Sequence, residues 1–171
     1  MINLLKIEWL KIKNYTAFIV MTLFFIVGVF ALNYIVFTVN KNIVNNVPGA
    51  GLVSFSPYDF ANTWQSTSYA TGFILLLPAL LLLMLFTNEY TFKTHRQNII
   101  DGLSRQQFIS VKIMMALIFA MAATLLVIIS ALIFGFGSGT AFSLNGFIFV
   151  GYFFLKALSY NLIAILFSVL V

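Results

Sequence analysis

Apolar residues in this chain gather in long unbroken runs instead of alternating with polar ones, so neither half-buried strands nor amphipathic surface helices dominate the pattern. Four runs, over 15–39, 69–86, 113–134 and 147–171, approach or exceed the roughly 20 residues a helix needs to cross a hydrocarbon core of about 30 Å. They predict four transmembrane helices. Lys6, Lys11 and Lys13 precede the first run as they would a signal peptide, but the run is longer than such a signal, and Asn40, Lys41 and Asn42 follow it instead of a small-residue cleavage site. It is therefore read as a retained helix. The fold expected is all-α, a polytopic integral membrane bundle in one transmembrane domain spanning 1–171.

The segments between the runs carry their own signals. Residues 1–14 place Ile2, Leu5, Trp9 and Ile12 on one helical stripe, with Lys6, Glu8, Lys11 and Lys13 off it. This is either an interfacial helix or a topogenic flank of the first span. Ser56, Pro57 and Asp59 form a helix start, predicting a short helix through Trp64 that, with Tyr58, Phe60 and Trp64 on it, lies at the outer membrane surface or dips into the membrane as a re-entrant loop. Gly135, Gly137 and Gly139 predict a turn. In the 88–110 connection, Gly102 is suited to stop a short helix, and Ser104 with Gln107 forms a capping box for the next.

Composition narrows the class. Of 171 residues, 62% are hydrophobic and 8% charged, against roughly 25% charged in a soluble domain, and mean hydropathy is +1.06. With no cysteine, disulfides, Cys-ligated zinc and iron–sulfur clusters are excluded. His95 is the only histidine, so one chain makes no multi-histidine metal site, and no metal-ligating residue is assigned. The net charge of +5 is not a nucleic-acid footprint, because the basic residues form no continuous stripe. Lys6, Lys11, Lys13, Lys93, Arg96, Arg105 and Lys112 lie on one side of the predicted spans and Lys41 on the other. Basic connections stay inside, so the amino terminus and the 88–110 connection are expected in the cytoplasm and the protein in an inner (plasma) membrane.

Polar residues inside the runs are candidates for function. Lys156 lies deep in the fourth run, where an ionised group costs roughly 2.5–3.5 kcal/mol on insertion scales. It faces a polar path or partner chain, or it snorkels along its own stem. Asn161 follows as a second intramembrane polar group. Pro78 bends the second run, either as a gating hinge or as a static kink. Ala116, Ala120 and Thr124, at four-residue spacing, give the third a face for close helix packing. No acid lies inside a run and no His-Glu-x-x-His occurs, so an intramembrane enzyme is disfavoured and no catalytic residue is assigned.

The cytoplasmic connection is the most distinctive segment, and through it the chain resembles the permease subunit of ABC-2 type ABC transporters. Such permeases show a glutamate ending the second span, a Gly-Thr pair, a short coupling helix, a Pro or Gly break and a Ser-Arg pair opening the third span. Glu89, Thr94, Gly102, Ser104, Arg105 and, further on, Lys112 occupy these places. Lys93 departs from the frequent glycine, and Gly102 from the frequent proline. The resemblance implies a coupling helix from Thr91 to Asp101, carrying Arg96, that receives a push from a partner. Arg105 would meet either that partner or lipid phosphate.

The resemblance further implies a homodimer driven by a separate cytosolic ABC ATPase, which would hold ATP and Mg. The chain has no Gly-x-x-x-x-Gly-Lys-[Ser/Thr] and is expected to bind no cofactor itself. Its remaining partner is membrane lipid, with no nucleic acid. Six spans are usual in such permeases, and Val171 falls inside an apolar run, so a truncated chain or a fragment of a longer reading frame is expected. A membrane scaffold recruited through the same connection, without transport, remains the alternative.

Overall fold

A computed structural model describes residues 9–10, 12–13, 15–46, 58–91 and 104–170. Among them every regular element is helical: α1 (Thr16–Asn46), α2 (Phe60–Gly72), α3 (Leu76–Thr91), α4 (Arg105–Gly137) and α5 (Ile148–Leu170). Helices α1, α4 and α5 are each long and apolar enough to cross a membrane, and α2 with α3, taken as one broken span, makes a fourth.

Helices α1 and α4 overrun the apolar stretches that announce them. Helix α1 continues through Asn40, Lys41 and Asn42, and α4 starts at Arg105, eight residues before the apolar run. With 31 and 33 residues they measure about 47 and 50 Å at 1.5 Å per residue, longer than the hydrocarbon core. Their polar ends therefore reach headgroups or water.

The second span departs most from the sequence reading. A single helix α2 runs from Phe60, with Asp59 at its N-cap, to Gly72 instead of ending near Trp64, and with α3 it forms a broken span or a re-entrant loop; Ser56 and Pro57 lie outside the described residues. Gln65, Ser66, Thr67 and Ser68 look like a polar interruption, yet the hydroxyls are used inside the helix. Thr63 Oγ donates to Asp59 O at 3.0 Å, Thr67 to Thr63 O at 2.8 Å and Ser68 to Trp64 O at 2.7 Å. Hydroxyls bonded one turn back are compatible with burial. Tyr58, Phe60 and Trp64 are buried as well, so these rings serve a protein core and not a headgroup layer.

The break falls at 73–75, ending three residues before Pro78. A continuous helix would need the proline to donate to the carbonyl four residues back, and its ring would strike that same carbonyl. Restarting at Leu76 places Pro78 in the first turn of α3, where no intrahelical donor is required. The bend thus precedes the residue that causes it.

The chain divides into two compact units. One comprises Met1–Phe25, Leu75–Ala122 and Lys156–Val171, and its core gathers Ile12, Leu82, Phe86, Met115 and Ala116. The other comprises Ile26–Ile74 and Ala123–Leu155, with Phe60, Trp64, Ala131 and Val150 at its centre. In this second unit the Gly135 to Gly139 region is a turn only at its end. Gly135 and Gly137 are helical, and Gly135 gives room to the Phe60 ring, whose atoms a Cβ would meet at 3.0–3.2 Å. Gly139, at φ 75°, makes the turn.

Candidate functional site

Two helix ends in the first unit frame the 92–103 connection, which lies outside the described residues along with Lys93, Thr94, His95, Arg96, Asp101 and Gly102. Glu89 and Thr91 lie in the last turn of α3, and Arg105 is the first residue of α4. The start of α4 is fixed locally. Ser104 N donates to Gln107 Oε1 at 3.1 Å, and Gln107 N donates to Ser104 Oγ at 3.2 Å. Each side chain thereby satisfies an amide that the first helical turn leaves without a partner.

Further along, α3 and α4 are joined by a cation. Lys112 is only 5% exposed, and its Nζ lies 4.1 Å from the centroid of the Phe86 ring of α3 and 5.0 Å from that of Phe108, one turn earlier on α4. The negative faces of the rings stabilise the ammonium where water is excluded. The sequence offered Lys112 as a basic flank and as the basic residue that follows the Ser-Arg pair of the resembled motif, not as a contact between helices. Its partner Phe108 was legible at i−4, whereas Phe86 comes from another helix. Asn88 on α3 also donates to the Tyr15 hydroxyl at 2.9 Å. Of the amphipathic amino-terminal stripe, Ile12 is buried in the core of this unit, and Trp9 is 44% exposed with its ring edge-on to Phe18.

The intramembrane candidates separate clearly. Asn161 is 2% exposed and donates through Nδ2 to Ala116 O at 3.1 Å, binding α5 to α4. Ala116 and Ala120 are fully buried, and the small side chain at 116 lets the amide approach the helix backbone. Thr124, next on that stripe, is half-buried and belongs to the second unit. Lys156 is exposed on α5, with Nζ 5.8 Å from the centroid of the Tyr160 ring. Lys156 and Asn161 therefore do not form one polar site: the amide packs helices and the ammonium faces outward from the chain.

A polar knot in the second unit went unrecognised in the sequence. Asn33, midway along α1 and fully buried, donates through Nδ2 to Val29 O at 2.8 Å and to Thr71 Oγ1 at 3.3 Å. The Tyr58 hydroxyl donates to Asn33 O at 3.2 Å. Burial pushes the Tyr58 phenol up to about 12, so it stays a donor throughout the physiological range. The only sequence signal was an isolated amide in an apolar run. The same unit pins its turn to α2: Thr140 Oγ1 accepts from Phe60 N at 2.9 Å, and Ser143 O accepts from Trp64 Nε1 at 2.8 Å. Asp59, at the N-cap of α2, makes no side-chain capping bond, so Thr140 takes up the helix's first amide.

Among the described residues no group of three or more His, Cys, Asp or Glu side chains gathers to hold a metal. Long apolar helices, small-residue packing and internally bonded polar groups define a multi-pass helical membrane protein. Residues 4–171 match the family described as "ABC-2 family transporter protein", and the chain belongs to that family. Members are transmembrane permease components and are not themselves catalytic. No curated protein and no solved structure matches the chain.

Proposed function

We propose that this chain is the permease subunit of an ATP-driven exporter, paired with a second copy of itself and moved by a separate cytosolic ATPase that engages the 88–110 connection. ATP and Mg belong to that ATPase. The amino terminus and the connection lie in the cytoplasm of a bacterial inner membrane, a placement supported by the seven basic residues that share their side. The observation that carries the reading is family membership over residues 4–171.

The local geometry gives the proposal a mechanism. Helices α3 and α4 end at Thr91 and begin at Arg105, so whatever displaces the connection pulls on both. Lys112 between Phe86 and Phe108 couples the two helices behind the connection, and the Ser104–Gln107 box stops the end of α4 from unravelling under load. Closure of the ATPase dimer then tilts α3 and α4 as a pair and alternates access to a path. Glu89, Thr91, Lys93, Thr94, Arg96, Asp101, Gly102, Ser104 and Arg105 form the coupling segment. Pro78 provides the hinge at which α3 yields.

Replacing 92–103 with a flexible Gly/Ser linker of equal length tests this. The expected result is loss of ATPase co-purification with membrane insertion intact. Undiminished co-purification would refute the assignment of the connection.

A further inference from the structure

The connection between α4 and α5 turns its apolar side chains outward and keeps its hydroxyls in. Phe136, Phe142, Leu144, Phe147 and Ile148 are all exposed. Ser138 Oγ donates to Gly135 O at 2.7 Å, Thr140 Oγ1 accepts from Phe60 N, and the Ser143 carbonyl accepts from Trp64 Nε1. A connection that faces water is normally built the other way, and an exposed apolar patch marks a surface that something covers. No charged residue occurs anywhere between Lys112 and Lys156.

Two observations point to what covers this one. Ile129, Ile133 and Phe136 follow one another at helical spacing on α4 and are all exposed, so the apolar surface of a candidate span runs on into the turn. There the Phe136 ring stacks on Phe142 with centroids 6.5 Å apart. The second observation is length. From Lys112 to Phe136 helix α4 rises about 36 Å at 1.5 Å per residue, beyond a hydrocarbon core of about 30 Å but within the roughly 40–45 Å of a bilayer with its headgroups.

We infer that the 136–148 turn lies in the headgroup layer of the bilayer, with the Phe136–Phe142 pair and Leu144 inserted against the glycerol and upper acyl groups of phospholipids. An apolar face in that layer is stabilised by the area it buries at the headgroup–acyl boundary. The hydroxyls tied to α2 and α4 are already bonded there, and Asn145, which is also exposed, is left to the headgroups. Through Thr140 and Ser143 the same turn holds the start of α2. The site needs only insertion of the chain in a bilayer, so it stands independently of the ATPase and of which leaflet receives the turn.

The chain has no cysteine, so Phe142→Cys and Leu144→Cys each offer a single thiol for bimane labelling. The full chain is reconstituted in phosphatidylcholine vesicles with iodide on both sides or, separately, in vesicles of phosphatidylcholine brominated near the headgroup end of its acyl chains. Ile133→Cys, on the exposed face of α4, serves as the lipid-facing reference, and Lys41→Cys as the water-facing one. Brominated lipid is expected to quench both turn labels more than iodide does, as at Ile133→Cys. Stronger quenching by iodide, as at Lys41→Cys, overturns the site. Protection from both quenchers also overturns it, because a second copy of the chain would then cover the turn. Leu144 is 62% exposed, so Leu144→Cys decides alone should the loss of the Phe142 ring, 5.0 Å from that of Phe60, disturb the fold.

Discussion

The two units of this protein handle polar groups in opposite ways. In the second, Asn33, Tyr58, Thr63, Thr67, Ser68 and Thr71 are drawn into hydrogen bonds within their own helix or between α1 and α2, and the turn after α4 is bonded to α2. In the first, contacts rest mainly on apolar side chains, with Asn161 reaching one backbone carbonyl, Asn88 donating to the Tyr15 hydroxyl and Lys112 held over two rings. A hydrogen-bonded arrangement has one good geometry, because a buried donor without its acceptor is costly. Ring and small-residue contacts impose no comparable donor–acceptor geometry. The proposed motor contact flanks the unit of apolar and ring contacts, and the hydrogen-bonded unit is the one expected to resist distortion.

Mutations grade this contrast. The largest loss is expected at Gly146→Ala in the second unit, where φ is 87° and a Cβ would stand 2.6 Å from Ala61 O. Backbone strain alone is on the order of 1–3 kcal/mol, and the clash with a backbone atom adds to it. Thermal unfolding in detergent should register this as the lowest midpoint of the series. Asn33→Leu comes next, at about 1–3 kcal/mol, because it leaves Thr71 without that donor and crowds the Tyr58 hydroxyl. A midpoint equal to wild type would show that the knot contributes nothing to the rigidity of that unit.

Smaller effects are expected in the first unit. Asn161→Leu removes one bond to Ala116 O, worth about 0.6–1.7 kcal/mol between membrane helices, and should lower the midpoint modestly. Lys112→Met should lose about 1–2 kcal/mol of cation–π attraction, offset in part by no longer burying an ammonium, so its effect on the midpoint should be modest. Its signature is functional: ATPase stimulation by the permease should fall while co-purification persists. A large drop in stability with normal stimulation would reverse the roles given to the two units.

What the sequence disclosed follows from the range of each interaction. The Ser104–Gln107 box was readable because both partners lie within one turn, and Pro78 because its ring acts on the preceding turn of its own chain. The extent of α2 was not, since polar residues 65–68 resemble a loop until their hydroxyls are seen bonding one turn back. Lys112 was half readable, with Phe108 at i−4 but Phe86 on another helix. Asn33 was silent, because its partners Thr71 and Tyr58 are far along the chain and nothing in an apolar run announces which residues will meet it. Lys156 stood out at once because an ammonium within a span is conspicuous in any context, although only the structure turned it outward.

Sidedness of the connection is the premise beneath the motor assignment, and the absence of cysteine makes it directly measurable. Lys93→Cys and Arg105→Cys, each the sole thiol of its protein, are treated in intact cells with a membrane-impermeant maleimide and then in inverted vesicles. The account predicts no labelling in cells and full labelling in inverted vesicles; labelling in intact cells would put the connection beyond reach of any cytosolic ATPase.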